Sequence, residues 1–233
     1  MKLHHAPAIW AAHPELAAGV LLADGLHDHA DVSAAVQRHL DTAHARLAVP
    51  EGEWPEVQAW RRAFARMGLK PTQYRCASES LLRRLRKDGA LPRIHPLIDL
   101  CNAVSAAFGI PVAVFDLAHV QGGLQVRPAR GDERYLAFGG DVEAPEPGEI
   151  VFADEANNAH ARRWTHRQSA ASAIRPDTAR VLVVCEAMHA RAGEDVQRLL
   201  ETLARELQAG WGAACTARML SAAAPRFAAG ASA

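Results

Sequence analysis

The chain has 233 residues, 49% of them hydrophobic, and its 26 Lys and Arg match its 26 Asp and Glu. That length can bury a sizeable core, and the zero net charge excludes a whole-molecule field that would draw the protein onto nucleic acid. The four cysteines, Cys76, Cys101, Cys185 and Cys215, are scattered with no Cys-x-x-Cys, which argues for a reducing compartment and against a disulfide or zinc framework. Near the N-terminus, His4, His5, Pro7, His13, Pro14 and Glu15 interrupt any signal-peptide core. No stretch reaches the roughly 18 uninterrupted apolar residues of a membrane helix. A soluble cytoplasmic protein is expected, with no membrane or DNA partner and no cofactor.

In chain order, residues 17–26 read as a buried strand ending at a glycine turn. Residues 31–48 read as a helix with Asp31 as N-cap and Pro50 beyond its end. Residues 56–68 and 78–89 are two amphipathic helices, each stopped by glycine. Pro96 sits where a first helical residue belongs, so the next helix starts there and stops at Gly109. After Pro111 come short runs rich in Val, Phe, Tyr and Leu, punctuated by Gly, Pro and Asp, which indicate a mostly antiparallel β region. Val196, Leu200, Leu203 and Leu207 then repeat at helical spacing. Segregated helices and strands predict an α+β fold, a mostly antiparallel β-sheet or sandwich packed with helices. One domain over 1–220 is expected, with 221–233 a disordered tail.

Residues 93–109, RIHPLIDLCNAVSAAFG, raise a question. Leu97, Cys101, Val104 and Phe108 form the buried face of a helix. His95, Asp99 and Asn102 form a polar stripe beside it. The stripe either caps the helix and bonds nearby backbone, or lines a pocket.

Further motifs bear on that choice. RIHPLIDLCNAV is followed by GIPVAVFD, VRPARGDE (126–133), IVFAD (150–154) and VVCEA (183–187). These resemble, in order, P-I-N-N-V-V-D-V-T-N-Y-V, G-Q-P-x-H-x-F-D, V-R-x-A-x-x-G-E, L-V-I-A-D and V-L-L-E-A of the editing domain in the beta subunit of bacterial phenylalanyl-tRNA synthetase. Asp99, Asn102, Val104, Gly109, Pro111, Phe115 and Asp116 match in register, and the resemblance covers roughly residues 90–190. It implies that family's fold, with an amino-acid pocket between the helix and the sheet. It also implies hydrolysis of the ester joining a wrong amino acid to the tRNA 3′ end. With no aminoacylation motifs, a free-standing hydrolase acting in trans is expected, with tRNA and an amino acid as partners. A non-catalytic tRNA or amino-acid binding module of the same fold is the alternative, and an unrelated small-molecule hydrolase a weaker one.

The chain also departs from that family. Its Thr-Asn pair becomes Cys101-Asn102, the His of G-Q-P-x-H-x-F-D becomes Ala113, and RRWTHRQS stands at its glycine-rich turn. A pocket narrowed by Trp164 would favour an amino acid smaller than tyrosine. No G-x-S-x-G elbow is present. A water held by Asn102 and a nearby acid, helped by a tRNA ribose hydroxyl, is therefore the expected mechanism, with Asn102, Asp99 and Cys101 as the catalytic candidates. Cys101 could be a nucleophile, or a small core residue.

The substrate-binding candidates are His95, Pro111, Arg163, Trp164, Thr165, His166, Arg167 and Glu186. Read as a strand, residues 161–169 would put Arg163, Thr165 and Arg167 on one face and Trp164 and His166 on the other. That strand is either a clamp for the terminal adenosine or a solvated strand anchored by one Trp. Ten Lys and Arg lie in residues 61–93 against only Glu79 and Asp88, a surplus of eight. Arg75, Arg83, Arg84, Arg86 and Lys87 are therefore RNA-backbone candidates. His27, Asp28, His29 and Asp31 invite a metal reading, but no matching cluster is evident, and no metal is expected.

Overall fold

Residues 180–187, RVLVVCEA, are apolar at almost every position, as expected for a strand covered on both faces. In the computed structural model, which describes residues 1–229, they form one long strand. It pairs antiparallel along its whole length with residues 17–24 and, on its other edge, with residues 112–116.

The elements in chain order are β1 (Lys2–His5), α1 (Pro7–Ala12), β2 (Ala17–Asp24), α2 (Ser33–Arg46), α3 (Pro55–Arg66), α4 (Ala77–Asp88), α5 (Pro96–Phe108), β3 (Val112–Asp116), β4 (Gly123–Pro128), β5 (Tyr135–Leu136) and β6 (Val142–Glu143). They continue with β7 (Ile150–Ala153), β8 (Ala159–Arg162), β9 (Arg167–Gln168), β10 (Arg180–Ala187), α6 (Ala192–Trp211), β11 (Ala214–Leu220) and β12 (Arg226–Ala228). One sheet runs β11-β2-β10-β3 and is antiparallel throughout; a second runs β12-β1-β4-β7-β8-β9; β5 and β6 make a small ribbon. The α+β class is as the sequence indicates. One pair, β1 with β4, is parallel.

Strand alternation divides the core into two layers. Ala18, Val20 and Leu22 of β2 and Leu182 and Val184 of β10 face the second sheet. There they pack with Leu3, Val126, Phe152 and Phe227, and with Trp60 and Phe64 of α3. Leu21 and Ala23, with Val181, Val183 and Cys185, face the other way and are covered by α2, α5 and α6. Glycine is required at position 19, because an added Cβ would lie 2.7 Å from Leu200 Cδ1 and Val196 Cγ1 of α6. The same alternation sends Glu186 between the sheets.

The sequence signals for α5 hold. Pro96 opens the helix and Gly109 ends it at φ 70. Two other expectations are corrected. The tail is not frayed from residue 221, because β12 pairs antiparallel with β1 and buries Phe227 at 2% exposure. Alanine-rich composition concealed the one large apolar side chain that holds it, and only residues 230–233 of the expected tail lie outside the described residues. Residues 161–169 are not one strand but a hairpin, β8 and β9 joined by a tight turn at 163–166. Among the described residues no helix is long and apolar enough to cross a membrane.

Candidate functional site between the sheets

Glu186 is 2% exposed on the inner face of β10. A buried carboxylate must be hydrogen-bonded; two elements supply its partners and a third bonds the backbone of the same residue. His5 Nε2 of β1 lies 2.7 Å from Oε1. Trp164 Nε1, from the β8–β9 turn, donates to Oε2 at 2.9 Å. Trp60 Nε1 of α3 donates to the Glu186 carbonyl at 3.3 Å. Trp60 and Trp164 meet edge to face at 5.1 Å, and His13 meets Trp164 at 4.9 Å.

The turn that presents Trp164 is strained. Arg163 and Trp164 adopt φ of 47 and 58, left-handed values that side chains with a Cβ rarely take. The surroundings hold them there. Trp164 N donates to Ile150 O at 2.7 Å, and Ala77 N, at the start of α4, donates to Thr165 O at 2.8 Å. His166 Nδ1 donates to Arg75 O at 2.8 Å. Burial lowers the His166 pKa and keeps the ring neutral, although that carbonyl opposes the shift.

Around Glu186 and Trp164 lies a cavity of about 60 Å³. At about 10–15 Å³ per water it has room for roughly four to six waters, the size of a small side chain. Pro111, Val112, Ala113, Phe152, Ala161 and Val184 make its apolar walls, and Thr165, His166, Arg167 and Gln168 its polar side. Thr165 is one of the lining residues, and its Oγ1 is buried without a partner among the described residues. Six sequence candidates therefore meet in one place: Pro111, Trp164, Thr165, His166, Arg167 and Glu186.

Other candidates do not reach it. His95 caps α5, its Nδ1 accepting from Leu97 N at 3.2 Å, and Asp99 Oδ1 accepts from Ile94 N at 2.8 Å. The polar stripe is thus mainly a helix-start clamp. Cys101 is 2% exposed in the helix-side core, and burial pushes its thiol up to about 12, which favours a small core residue over a thiolate nucleophile. Asn102 is half-buried on α5 and is not among the lining residues. Arg163 turns away, with its guanidinium 3.2 Å from Glu149 and 4.9 Å from the Tyr74 ring centre. Trp164 has no exposed face on which an adenosine could stack.

The basic segment is also less free than the sequence implies. Glu51, from outside the segment, takes Arg86 at 2.7 Å and Arg83 at 3.4 Å. Glu79 takes Arg61 at 2.7 Å and Arg75 at 3.5 Å. Among the described residues Arg84 and Lys87 reach only the half-exposed Asp88, at 4.0 and 3.9 Å.

One arrangement was invisible in the sequence. His160 lies between Ser172 Oγ at 2.9 Å and Asp154 Oδ2 at 3.1 Å, the order of an acyl-transfer triad. Ser172 and His160 are fully buried and neither lines the cavity. Asp154 also accepts from the backbone of Gln121, Ala156 and Asn158. The cluster ties loops together rather than meeting a substrate.

Two sheets with a helical layer, and a partly open pocket between the sheets, make up this α+β domain. The chain belongs to the B3/4 domain family, whose profile matches residues 59–205. It is similar to the phenylalanine–tRNA ligase beta subunit of Cereibacter sphaeroides, 37% identical over 76 residues, or 33% of this chain and 9% of that protein. The corresponding subunit of Shewanella oneidensis is 36% identical over 73 residues, 31% of this chain and 9% of that protein. An N-terminal fragment of the phenylalanyl-tRNA synthetase beta-subunit from Pyrococcus horikoshii superposes with a TM-score of 0.49 at 10% identity, covering 91% of this chain and 49% of that one. The matched stretch thus spans about a tenth of the curated relatives' length.

Proposed function

We propose that this domain hydrolyses the ester between a small, wrongly attached amino acid and the 3′ end of tRNA. It would act in trans, with the Trp164–Glu186 cavity as the amino-acid pocket. The observation that carries the reading is that cavity: an apolar slot of about 60 Å³ with a buried carboxylate and one uncommitted hydroxyl. Its lining comes from the segments that carry the sequence resemblance, GIPVAVFD, IVFAD and VVCEA, together with the hairpin turn. Kinship with beta subunits named as phenylalanine–tRNA ligase supports tRNA as the partner. Such a protein works where charged tRNA is found, in the cytoplasm.

Roles follow from the geometry. A carboxylate has more acceptor sites than the His5 and Trp164 bonds occupy, so Glu186 retains capacity for a substrate α-ammonium. Thr165 Oγ1 holds the attacking water or the developing oxyanion. A ribose hydroxyl beside the ester assists, so no strong protein base is needed. The catalytic role that the sequence suggests for Asn102 is not carried forward.

Thr165→Val keeps the shape and removes the hydroxyl. Turnover on a small-residue ester is expected to fall about 100-fold, with little change in melting temperature, and Asn102→Ala is expected to turn over at the parent rate. A Thr165→Val enzyme as fast as the parent would move the water to another group. Saturable tRNA binding without ester loss would favour the binding-module alternative, which the Ala113 departure keeps in view.

RNA contact is assigned to Arg84 and Lys87, which share one exposed acid, ahead of the better-paired Arg75, Arg83 and Arg86. Arg84→Glu with Lys87→Glu is expected to lower the slope of log affinity against log salt by about 1–2. Filter binding at two ionic strengths measures it, and an unchanged slope removes the assignment.

A further inference from the structure

A second concavity lies on the helical side of the molecule, between α2, the start of α3, the end of α5 and α6, with a volume of about 910 Å³. Residues distant in sequence converge on it. Glu56 comes from the first turn of α3, His189 from the loop after β10, and Asp195 from the first turn of α6. All three line the cleft, and each offers a ligand atom within 4.8 Å of the other two. They are 8%, 7% and 8% exposed.

Their bonding is incomplete in one direction. Arg46 donates to Glu56 Oε1 at 2.8 Å, while Oε2 is buried with no partner among the described residues. Arg198 donates to Asp195 Oδ1 at 2.5 Å, and Oδ2 lies 2.7 Å from His189 Nε2. His189 Nδ1 is likewise buried without a partner, on a side chain only 5% exposed. Native interiors leave few such atoms unmet, and here two belong to neighbouring side chains on the wall of an open cleft. Arg46 and Arg198 each engage one oxygen of a carboxylate; the other oxygen of Asp195 meets the imidazole and that of Glu56 has no partner among the described residues. Their own side chains are 35% and 61% exposed, so solvent screens their charge.

We infer that Glu56, His189 and Asp195 form a site for a divalent transition metal of the zinc class. One imidazole nitrogen and two carboxylate oxygens are its ligands. For Nε2 to ligate beside Asp195, the Nε2–H that now donates to Oδ2 gives way to the ion, and the neutral imidazole carries its single N–H on Nδ1. A nitrogen ligand in a three-residue set suits zinc, whereas magnesium and calcium take oxygen ligands in larger number. Three protein ligands leave a tetrahedral ion one position for a water or an anion that enters the cleft. Glu56 and His189 are 133 positions apart, so no local motif announces the site. It does not depend on the hydrolase reading.

The test is calorimetric titration of zinc chloride into chelator-treated full chain, with thermal unfolding at each zinc level. One equivalent of saturable binding and a melting temperature that climbs with zinc are expected. Glu56→Gln and His189→Gln should each weaken binding about 100-fold. Magnesium should give no shift. His29→Ala serves as control, because the exposed His29, stacked on the half-buried His27, could take zinc adventitiously; it should bind like the parent. Circular dichroism without metal checks folding, and Glu56→Gln, which preserves an acceptor for Arg46, decides the matter if His189→Gln does not fold. Equal affinity in parent and Glu56→Gln, binding lost only in His29→Ala, or no saturable binding at all would overturn the site.

Discussion

Trp164→Gly is expected to change both what the domain hydrolyses and how firmly it folds. The indole is fully buried, packs edge-on against Trp60, and donates to Glu186. Large-to-small changes of this kind cost about 3–5 kcal/mol, and the carboxylate also loses a donor. Glycine returns roughly 1 kcal/mol, because φ 58 suits it and strains tryptophan. A net loss of about 3 kcal/mol should be read in urea unfolding. The vacated volume adjoins the cavity, so a tyrosyl ester should become a substrate. Trp164→Phe separates the two effects, since it fills most of the volume but cannot donate to Glu186. It should be destabilised by roughly 1–3 kcal/mol and retain the preference for small esters. If Trp164→Gly and the parent share one substrate range, Trp164 does not set the pocket's size.

Asp154→Ala is expected to cost more stability than any other single substitution considered. Its carboxylate accepts from three backbone N–H groups, from Asn158 Nδ2 and from His160. It is 6% exposed. Removing it leaves several buried donors unmet, a loss of about 3–5 kcal/mol, and the parent's urea midpoint would sink this expectation.

The same cluster sets an acid dependence. Burial raises the Asp154 pKa, but the Asn158, His160 and Gln121 hydrogen bonds outweigh it and leave the pKa below 3.8. Burial lowers the His160 pKa below 6.5 despite Asp154. Both groups bind protons more readily when unfolded, so their stabilisation is present above the unfolded pKa and fades as pH falls. His160 contributes its loss first, below about 6.5, and Asp154 below about 3.8. Substituting His160 with Gln should flatten the pH 7-to-5 limb by up to one proton and leave the remainder, because His4, His13, His95 and His166 are shifted in the same direction.

Much of this fold could be read from local pattern. The continuous apolar run of β10 announces a strand covered on both faces. Pro96 and Gly109 bound α5, and the leucine repeat of α6 gives its buried stripe. The six pocket residues were within reach through the ordered motifs, which carry Pro111 and Glu186, and through the bulky RRWTHRQS segment, although that segment read as a strand rather than a turn. What the sequence withheld depends on three-dimensional partners. Nothing local says that Trp164 sits inside at positive φ, because its backbone is held by Ile150 and by α4. His95 and Asp99 read equally well as pocket wall or helix cap until Ile94 and Leu97 are seen donating to them. The apparent surplus of charge in 61–93 shrinks once Glu51 is brought beside Arg83 and Arg86. Asp154, His160 and Ser172, and likewise Glu56, His189 and Asp195, meet only through the fold.

The most direct measurement is ester loss from a panel of mischarged tRNAs, charged by separate enzymes and mixed with the purified chain. Accelerated loss of an ester carrying a small amino acid is the expected result, with tyrosyl-tRNA spared by the parent and attacked by Trp164→Gly. Loss of every ester at the buffer rate, or tyrosyl-tRNA cleaved by the parent as fast as any small-residue ester, would contradict the assignment of the Trp164–Glu186 cavity as a small-residue editing pocket.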